Sequence, residues 1–205
     1  MHNSTVSGDL RYKRVVQAKE IAIQTANELL ATFTSEATTL ILGSSWPKEE
    51  DIVRDALPNL GDIKLIIAPH DVSEGHIQAI LTAFPNALRY TQLDPTRDAV
   101  QLGSAHILII DCIGQLSAAY RYGTIAFIGG GFTGKLHNTL EPAVYGLPLL
   151  FGPKHHKFPE ADLFLQKGFA REVTNAKDFV QAFQTLTKRA SELRIEMEDF
   201  VKSAQ

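Results

Sequence analysis

Two short apolar runs enclose a glycine-rich loop between Ile125 and Pro153, and this stretch constrains the fold most strongly. The first run, Ile125 to Ile128, leads directly into Gly129 to Gly131, and the second extends from Leu147 to Phe151. The order strand, glycine loop, helix start and strand is typical of an open α/β sheet, where such a corner binds phosphate. Glycines allow positive φ and let a ligand approach the main chain closely. A glycine loop alone is a weak signal, however, and could merely close a tight turn.

A helix is expected to begin within His137 to Glu141 and to end near Gly146. Its N-terminus would present free N–H groups and a partial positive charge, which suits a phosphate. Asn138 and Glu141 also have the spacing of a capping box. Glu141 could therefore either cap its own helix or face a ligand.

Apolar β-prone runs alternate with helical segments along the chain. The expected strands are 39–42, 64–68, 88–91, 107–110, 124–128 and 147–151, with 171–173 as a further edge strand. The alternation predicts an α/β fold with a Rossmann-like, doubly wound parallel sheet of about six strands and helices on both faces. We expect the strand order 3-2-1-4-5-6, which brings the loops after strands one, four and five to one mouth. These loops hold Ser44 to Trp46, Ile113-Gly114 and Gly129 to His137, so a nucleotide site is expected there.

Outside the strands, an amphipathic pattern predicts one helix from Arg14 to Phe33. The stretch from Gln92 to Ala105 is polar and poorly patterned, and a variable loop with one short turn is expected. A charged helix is predicted from Ser191 to Ser203, and the sequence leaves open whether it packs on this domain.

The length allows one large domain or two small ones, the composition is ordinary for a soluble globular protein, and the alternating strands and helices favour a single domain, residues 1–205. The chain has 205 residues, enough for a proper core. Its net charge of −3 argues against nucleic acid as a partner. The single cysteine, Cys112, excludes an internal disulfide framework. No apolar run approaches the roughly 20 residues that a membrane span needs, and no signal peptide is visible.

A family resemblance rests on residues spread over nearly the whole chain. The residues that carry it are Ser7-Gly8-Asp9-Leu10-Arg11, Val15-Val16, Gly43-Ser44-Ser45-Trp46, Ala68-Pro69-His70, Asp111-x-x-Gly114-x-Leu116, Gly129-Gly130, His137-Asn138-x-x-Glu141, Gly152-Pro153 and Phe158. Together they resemble the nucleotide-binding half of the Kdo transferases. Those enzymes move 3-deoxy-D-manno-oct-2-ulosonic acid (Kdo) from CMP-Kdo onto lipid A precursors of lipopolysaccharide.

The resemblance implies that this chain is the C-terminal, donor-binding half of a glycosyltransferase of the GT-B fold, with residues 1–12 as an interdomain segment. It also implies an inverting reaction that needs no cofactor and no metal. The general base and the lipid-acceptor surface would belong to an N-terminal domain absent from this chain, so we expect the fragment alone to be soluble and inactive. The complete enzyme would lie at the cytoplasmic face of the bacterial inner membrane.

The candidate donor-binding residues are Ser44, Ser45, Trp46, Pro69, His70, Ile113, Gly114, Gly130, Gly131, Lys135, His137, Asn138 and Glu141. Phosphate donors would be the backbone N–H groups around Gly130, Gly131 and Asn138, with charge added by Lys135 or His137. The resemblance implies that Glu141 accepts from the ribose hydroxyls, and that Pro69-His70 and Ile113-Gly114 line a slot for cytosine. Better-known members of the family have Pro-Arg-His where this chain has Pro69-His70-Asp71, and histidine is charged only part of the time near neutral pH.

The adjacent histidines His155 and His156 are the remaining chemical feature of the sequence. Neighbouring side chains point in different directions and no carboxylate or cysteine spacing completes a set, so metal ligation is not expected. Lys154, His155 and Lys157 could instead guide an anionic sugar, or form a solvated charged loop.

Two other functions stay open at this point. One is the donor domain of a UDP-sugar transferase or epimerase with the same fold. The other is a non-enzymatic α/β binding module, in which Glu141 serves stability alone.

Overall fold

The computed structural model describes residues 10–24, 26–35 and 37–204, and within them the chain forms a seven-stranded, all-parallel sheet. The strands are β1 (Thr39–Ser45), β2 (Lys64–Pro69), β3 (Leu88–Arg89), β4 (Ile107–Ile109), β5 (Ile125–Ile128), β6 (Leu149–Phe151) and β7 (Ala170–Glu172). The sheet order is β3-β4-β2-β1-β5-β6-β7. The predicted Rossmann-like parallel sheet is confirmed, and β7 is the edge strand anticipated at 171–173.

The predicted strand order was wrong for one segment. Ile107–Ile109 was expected beside the first strand, but β4 pairs with β2, and β5 occupies the place beside β1. The three residues of β4 are buried, which suits an interior strand, whereas Leu88–Arg89 is half-buried and forms a two-residue edge. If the edge strand β3 is set aside and the other six strands are renumbered in chain order, the sheet order is 3-2-1-4-5-6. The topological switch point then lies between β1 and β5.

The strands form the centre of the hydrophobic core. All four residues of β5 are fully buried, as are Leu40 to Leu42 of β1 and Leu65 to Ile67 of β2. These runs lack the alternation of a half-exposed strand because helices cover both faces of the sheet. The loops at the carboxyl ends of the strands are therefore attached to a rigid, buried sheet.

Ten helices within the described residues surround the sheet. They are α1 (Leu10–Ala22), α2 (Glu28–Thr34), α3 (Pro47–Ala56), α4 (Glu74–Ala83), α5 (Ala99–Ser104), α6 (Leu116–Ala119), α7 (Leu140–Ala143), α8 (Pro159–Gln166), α9 (Ala176–Thr187) and α10 (Ala190–Ser203). In this part of the chain none of them has the length and apolar character needed to cross a bilayer.

The helix predicted from Arg14 to Phe33 is in fact two helices, α1 and α2. Asn27 ends the continuity because its side-chain oxygen accepts from Leu30 N–H at 3.0 Å and caps α2. Its own N–H donates to Tyr122 Oη at 2.8 Å, and its Nδ2 donates to Tyr90 Oη at 2.8 Å. These long-range contacts override the local amphipathic pattern. The stretch predicted as a loop, 92–105, likewise contains α5.

The last helix, α10, packs on this domain. Leu193, Met197 and Val201 are buried along one face. Arg194 donates to Gly123 O at 2.7 Å, which joins α10 to the turn before β5. At the other end of the chain, α1 begins at Leu10 within the predicted interdomain segment, and residues 1–9 lie outside the described residues.

Candidate functional site

Three aromatic side chains from different loops meet at the carboxyl edge of the sheet. Trp46 follows β1, His70 follows β2, and His137 follows the glycine loop after β5. The ring centroids of Trp46 and His70 lie 4.6 Å apart in a stacked arrangement, and those of His70 and His137 lie 4.6 Å apart. The structure therefore brings together three of the residues that the sequence assigned to a donor site.

His137 is held as a neutral ring within this aromatic cluster. Trp46 Nε1–H donates to His137 Nε2 at 3.2 Å, so that nitrogen is an acceptor without a proton. Burial lowers the pKa of His137, and the charge of neighbouring His70 lowers it further. Of the two basic side chains expected to help bind a phosphate, the exposed Lys135 is then the one that supplies charge.

The glycine loop after β5 is packed tightly against other backbone. A Cβ on Gly129 would lie 1.9 Å from Ser44 O, and one on Gly131 would lie 2.4 Å from Gly152 N. Gly130 has φ +84 and donates its N–H to Glu49 Oε1 at 2.8 Å. The main reason for glycine at these positions is therefore the close packing between loops.

The bond to Glu49 corrects one expectation about phosphate binding. Because Gly130 N–H is used inside the protein, it is not free to donate to a phosphate. Within residues 10–24, 26–35 and 37–204, the N–H groups of Gly131 and Asn138 have no hydrogen-bond partner. They are the unpaired backbone donors of the predicted set, Asn138 at an exposed position and Gly131 at a buried one.

Glu49 is a buried carboxyl group that sequence reasoning missed. It lies in the first turn of α3 and is only 1% exposed. Its Oε2 atom has no hydrogen-bond partner among the described residues. Burial raises the pKa of Glu49, although bonds to backbone N–H groups oppose the shift. The sequence shows only two acids in a helix's first turn, so only the close approach of Gly130 identifies its role.

We expect Glu49→Gln to gain stability relative to the parent protein as pH rises. Since the folded-state pKa is raised, the folded protein holds more protons than the unfolded chain above pH 4.5, and the parent loses stability as pH rises through the folded pKa. Glutamine keeps an oxygen for Gly130 N–H and removes this titration. Urea denaturation from pH 4 to 8 measures the difference, and a constant difference between the two proteins would contradict the assignment.

Glu141 lies in α7, which is much shorter than predicted: four residues rather than a helix reaching Gly146. The predicted capping box is replaced by bonds between side chains. Asn138 Nδ2 donates to Glu141 Oε1 at 3.0 Å, and Asn138 Oδ1 accepts from Leu140 N–H at 3.0 Å. Ser117 of α6 lies near enough to the Glu141 carboxyl group to lower its pKa.

The Glu141 side chain is half-buried and is therefore neither free in solvent nor part of the core. Burial raises its pKa, while the bonds from Asn138 and Ser117 act in the opposite direction. A half-buried carboxylate bonded to Asn138, which lines a surface depression, can accept hydrogen bonds from a ligand's hydroxyl groups.

The remaining predicted residues divide into structural and accessible positions. Ser45 is buried and donates its hydroxyl to Glu50 Oε1 at 2.8 Å, and Pro69 is buried opposite it in β2. Ser44 is half-buried with φ 52. Ile113 is 85% exposed, and Gly114 lines a groove. Since β2 and β4 pair directly, the loops with Pro69-His70 and Ile113-Gly114 leave adjacent strands, as a shared slot requires.

Two depressions lie beside these residues. The larger, about 950 Å³, runs between α1, α2 and α6 and is lined by Ala22, Asn27, Tyr90, Gly114 and Ser117 among others. The smaller, about 300 Å³, is lined by Arg11, Arg14, His137, Asn138, Phe158 and Glu160 among others. Its two arginines were not among the predicted site residues, because nothing local in the sequence shows that α1 lies next to the His137 loop.

Comparison with known proteins identifies related sequences. A 3-deoxy-D-manno-octulosonic acid transferase from Aquifex aeolicus (strain VF5) is 35% identical over 92 residues, covering 44% of this chain and 26% of the relative. One from Rickettsia typhi is 25% identical over 163 residues, covering 76% and 34%. One from Chlamydophila psittaci is 30% identical over 131 residues, covering 60% and 28%.

This chain is related to the 3-deoxy-D-manno-octulosonic acid transferases. The resemblance drawn from the sequence motifs is therefore confirmed. The chain spans about a third or less of the length of these relatives. No family model matches it.

The fold also has a known counterpart. The crystal structure of the C-terminal CMP-Kdo binding domain of WaaA from Acinetobacter baumannii matches with a TM-score of 0.66 at 19% identity. The match covers 94% of this chain and 98% of that one. The chain thus has the fold of that C-terminal domain.

Proposed function

We propose that this chain binds the CMP moiety of CMP-Kdo and is the donor half of an inverting glycosyltransferase that adds Kdo to a lipid A precursor. The observation that carries the proposal is the position of Glu141. Its half-buried carboxylate lies between the glycine loop and α6, bonded to Asn138 and close to Ser117, in a chain related to Kdo transferases.

Each part of CMP is assigned to a group at the carboxyl edge of the sheet. The ribose hydroxyls donate to Glu141. The phosphate accepts from the N–H groups of Gly131 and Asn138 and from Lys135, which offset the charge that gathers on departing CMP. Cytosine lies against the loops of Pro69-His70 and Ile113-Gly114, and Trp46 stacks on His70 from the other side.

The smaller depression suits the anionic sugar of the same donor. Arg11 and Arg14 line it together with His137 and Asn138, and Kdo carries a carboxylate. Arg11 also pairs with Glu160 at 2.9 Å, whereas Arg14 has no carboxylate partner among the described residues. A guanidinium beside the phosphate donors can bind the sugar acid through two parallel hydrogen bonds and so orient it.

The reaction of the whole enzyme is attack by an acceptor hydroxyl on the anomeric carbon of Kdo, with inversion and with CMP leaving. In this proposal the general base and the lipid-acceptor surface lie in an N-terminal domain, and no cofactor takes part. The full-length enzyme works at the cytoplasmic face of the inner membrane. This chain alone then binds the donor and transfers no Kdo. Measured Kdo transfer by this chain would contradict the placement of the general base in another domain.

Calorimetric titration with CMP and with UDP tests the donor assignment. We expect CMP to bind and UDP to compete poorly, because the proposal assigns the slot between the two loops to a cytosine edge. Tighter binding of UDP would instead indicate the UDP-sugar alternative. Absence of binding by either nucleotide would indicate a non-enzymatic module.

A further inference from the structure

We propose that His155, His156 and Asp162 form a binding site for one zinc-class divalent metal ion, which fastens the loop after β6 to α8. The pair of histidines lies in the loop between β6 and α8, and Asp162 lies in the first turn of α8. One ligand atom from each residue lies within 4.8 Å of the other two. Sequence spacing did not reveal the carboxylate because Asp162 reaches the histidines only when Pro159 starts the helix.

The buried ring of His155 supplies independent support. Its side chain is 3% exposed, and its Nδ1 lies 2.9 Å from Asp162 Oδ1. Despite that distance, Nδ1 makes no hydrogen bond to any described residue. Nδ1 is therefore a buried nitrogen aimed at a carboxylate, at a separation that two ligands of one ion can also have.

The spacing fits the dimensions of a tetrahedral site. Zinc binds imidazole nitrogen and carboxylate oxygen at about 2.0–2.2 Å, which places ligand atoms about 3.3 Å apart. The separation of 2.9 Å between Nδ1 and Oδ1 is close to that value, whereas the set as a whole, within 4.8 Å, has to contract to reach it. Small side-chain rotations are enough, since His156 is exposed and Asp162 is half-exposed.

The opposite nitrogen of His155 has the partner that a metal-binding histidine usually has. Its Nε2 lies 3.1 Å from Glu172 Oε2 of β7. A carboxylate that accepts from Nε2–H keeps the Nδ1 lone pair free and orients the ring toward the ion. Without an ion, the same contacts would be those of a histidine paired with both Asp162 and Glu172, and the metal titration below distinguishes the two arrangements.

The site would act on the donor loops through the backbone. Lys154, which immediately precedes the histidines, donates its N–H to Gly131 O at 2.7 Å. An ion that fixes the loop after β6 therefore also steadies the glycine loop beside it. This role is structural and does not depend on which nucleotide binds.

Zinc and cobalt titrations of chelator-treated protein test the site. We expect one equivalent of zinc to bind in calorimetry, and bound cobalt to give the visible spectrum of a tetrahedral site. His156→Ala and Asp162→Asn alter exposed side chains and should fold, as circular dichroism can verify. Each should weaken zinc binding by about a hundredfold, and Glu172→Gln by about tenfold.

His106→Ala is the matched control because His106 pairs with Asp62 at 3.4 Å on the exposed surface. His137→Ala tests the other histidine cluster, and both variants should bind zinc as the parent does. The proposal is overturned if the parent binds no zinc, or if His156→Ala and Asp162→Asn bind it as tightly as the parent. Loss of binding in His137→Ala alone would also overturn it.

Discussion

Gly129→Ala should destabilise the protein by about 3 kcal/mol or more. The new Cβ would lie 1.9 Å from Ser44 O and 2.9 Å from Ser45 Cα. Both are backbone atoms at the end of β1, and the neighbouring N–H of Gly129 donates to Gly43 O at 2.9 Å. No flexible side chain can move aside, so relief requires separating two central strands at the switch point.

Gly75→Ala is the matched control for this substitution. Gly75 lies in α4, and a Cβ there would meet nothing within 4 Å. Alanine is favoured over glycine in helices by up to about 1 kcal/mol, so this variant should be as stable as the parent or more stable. Urea denaturation gives both values. Equal stability of Gly129→Ala and the parent would show that the loop after β5 does not pack against the end of β1 as closely as described.

Glu141→Gln should weaken CMP binding about ten- to a hundredfold with no loss of stability. A hydrogen bond to a charged group contributes about 1.5–3 kcal/mol, and glutamine offers the ribose a neutral acceptor in its place. The pKa of Glu141 is raised by burial, so its ionised form is less favourable in the folded protein. The stability of the glutamine variant relative to the parent should therefore rise with pH above 4.5.

A fall in CMP affinity without a fall in stability distinguishes a binding role of Glu141 from a capping role. If Glu141 only supported α7, stability would fall and CMP affinity would not change. Glu192→Gln is the control, because Glu192 forms an exposed pair with Arg189 on α10. That variant should change neither quantity, and calorimetry with thermal unfolding reports both.

The sheet could be predicted because its determinants are local. Continuous apolar runs such as Ile125–Ile128 identify buried parallel strands wherever they occur. The strand order was missed because it depends on which strand lies at the edge of the sheet. Leu88–Arg89 is recognised as that edge strand only from its partial burial in the structure. The split of the first helix was missed because Asn27 is fixed by Tyr122 and Tyr90, far along the chain.

The candidate site was predictable to the extent that its residues lie within one motif. Asn138 and Glu141 could be paired from their spacing, although their contact proved to be between side chains. Glu49 could not be assigned, since its role depends on the approach of Gly130 from another strand. Arg14 likewise depends on where α1 packs.

A chemical-shift titration of the protein with CMP tests the central claim most directly. We expect saturable shifts concentrated at Gly131, Asn138, Glu141 and Ser117, with smaller changes near His70. Glu141→Gln should reduce the affinity while the same residues still shift at higher CMP concentration. Shifts elsewhere on the molecule, or none at millimolar CMP, would contradict the proposal that this mouth of the sheet binds the donor nucleotide.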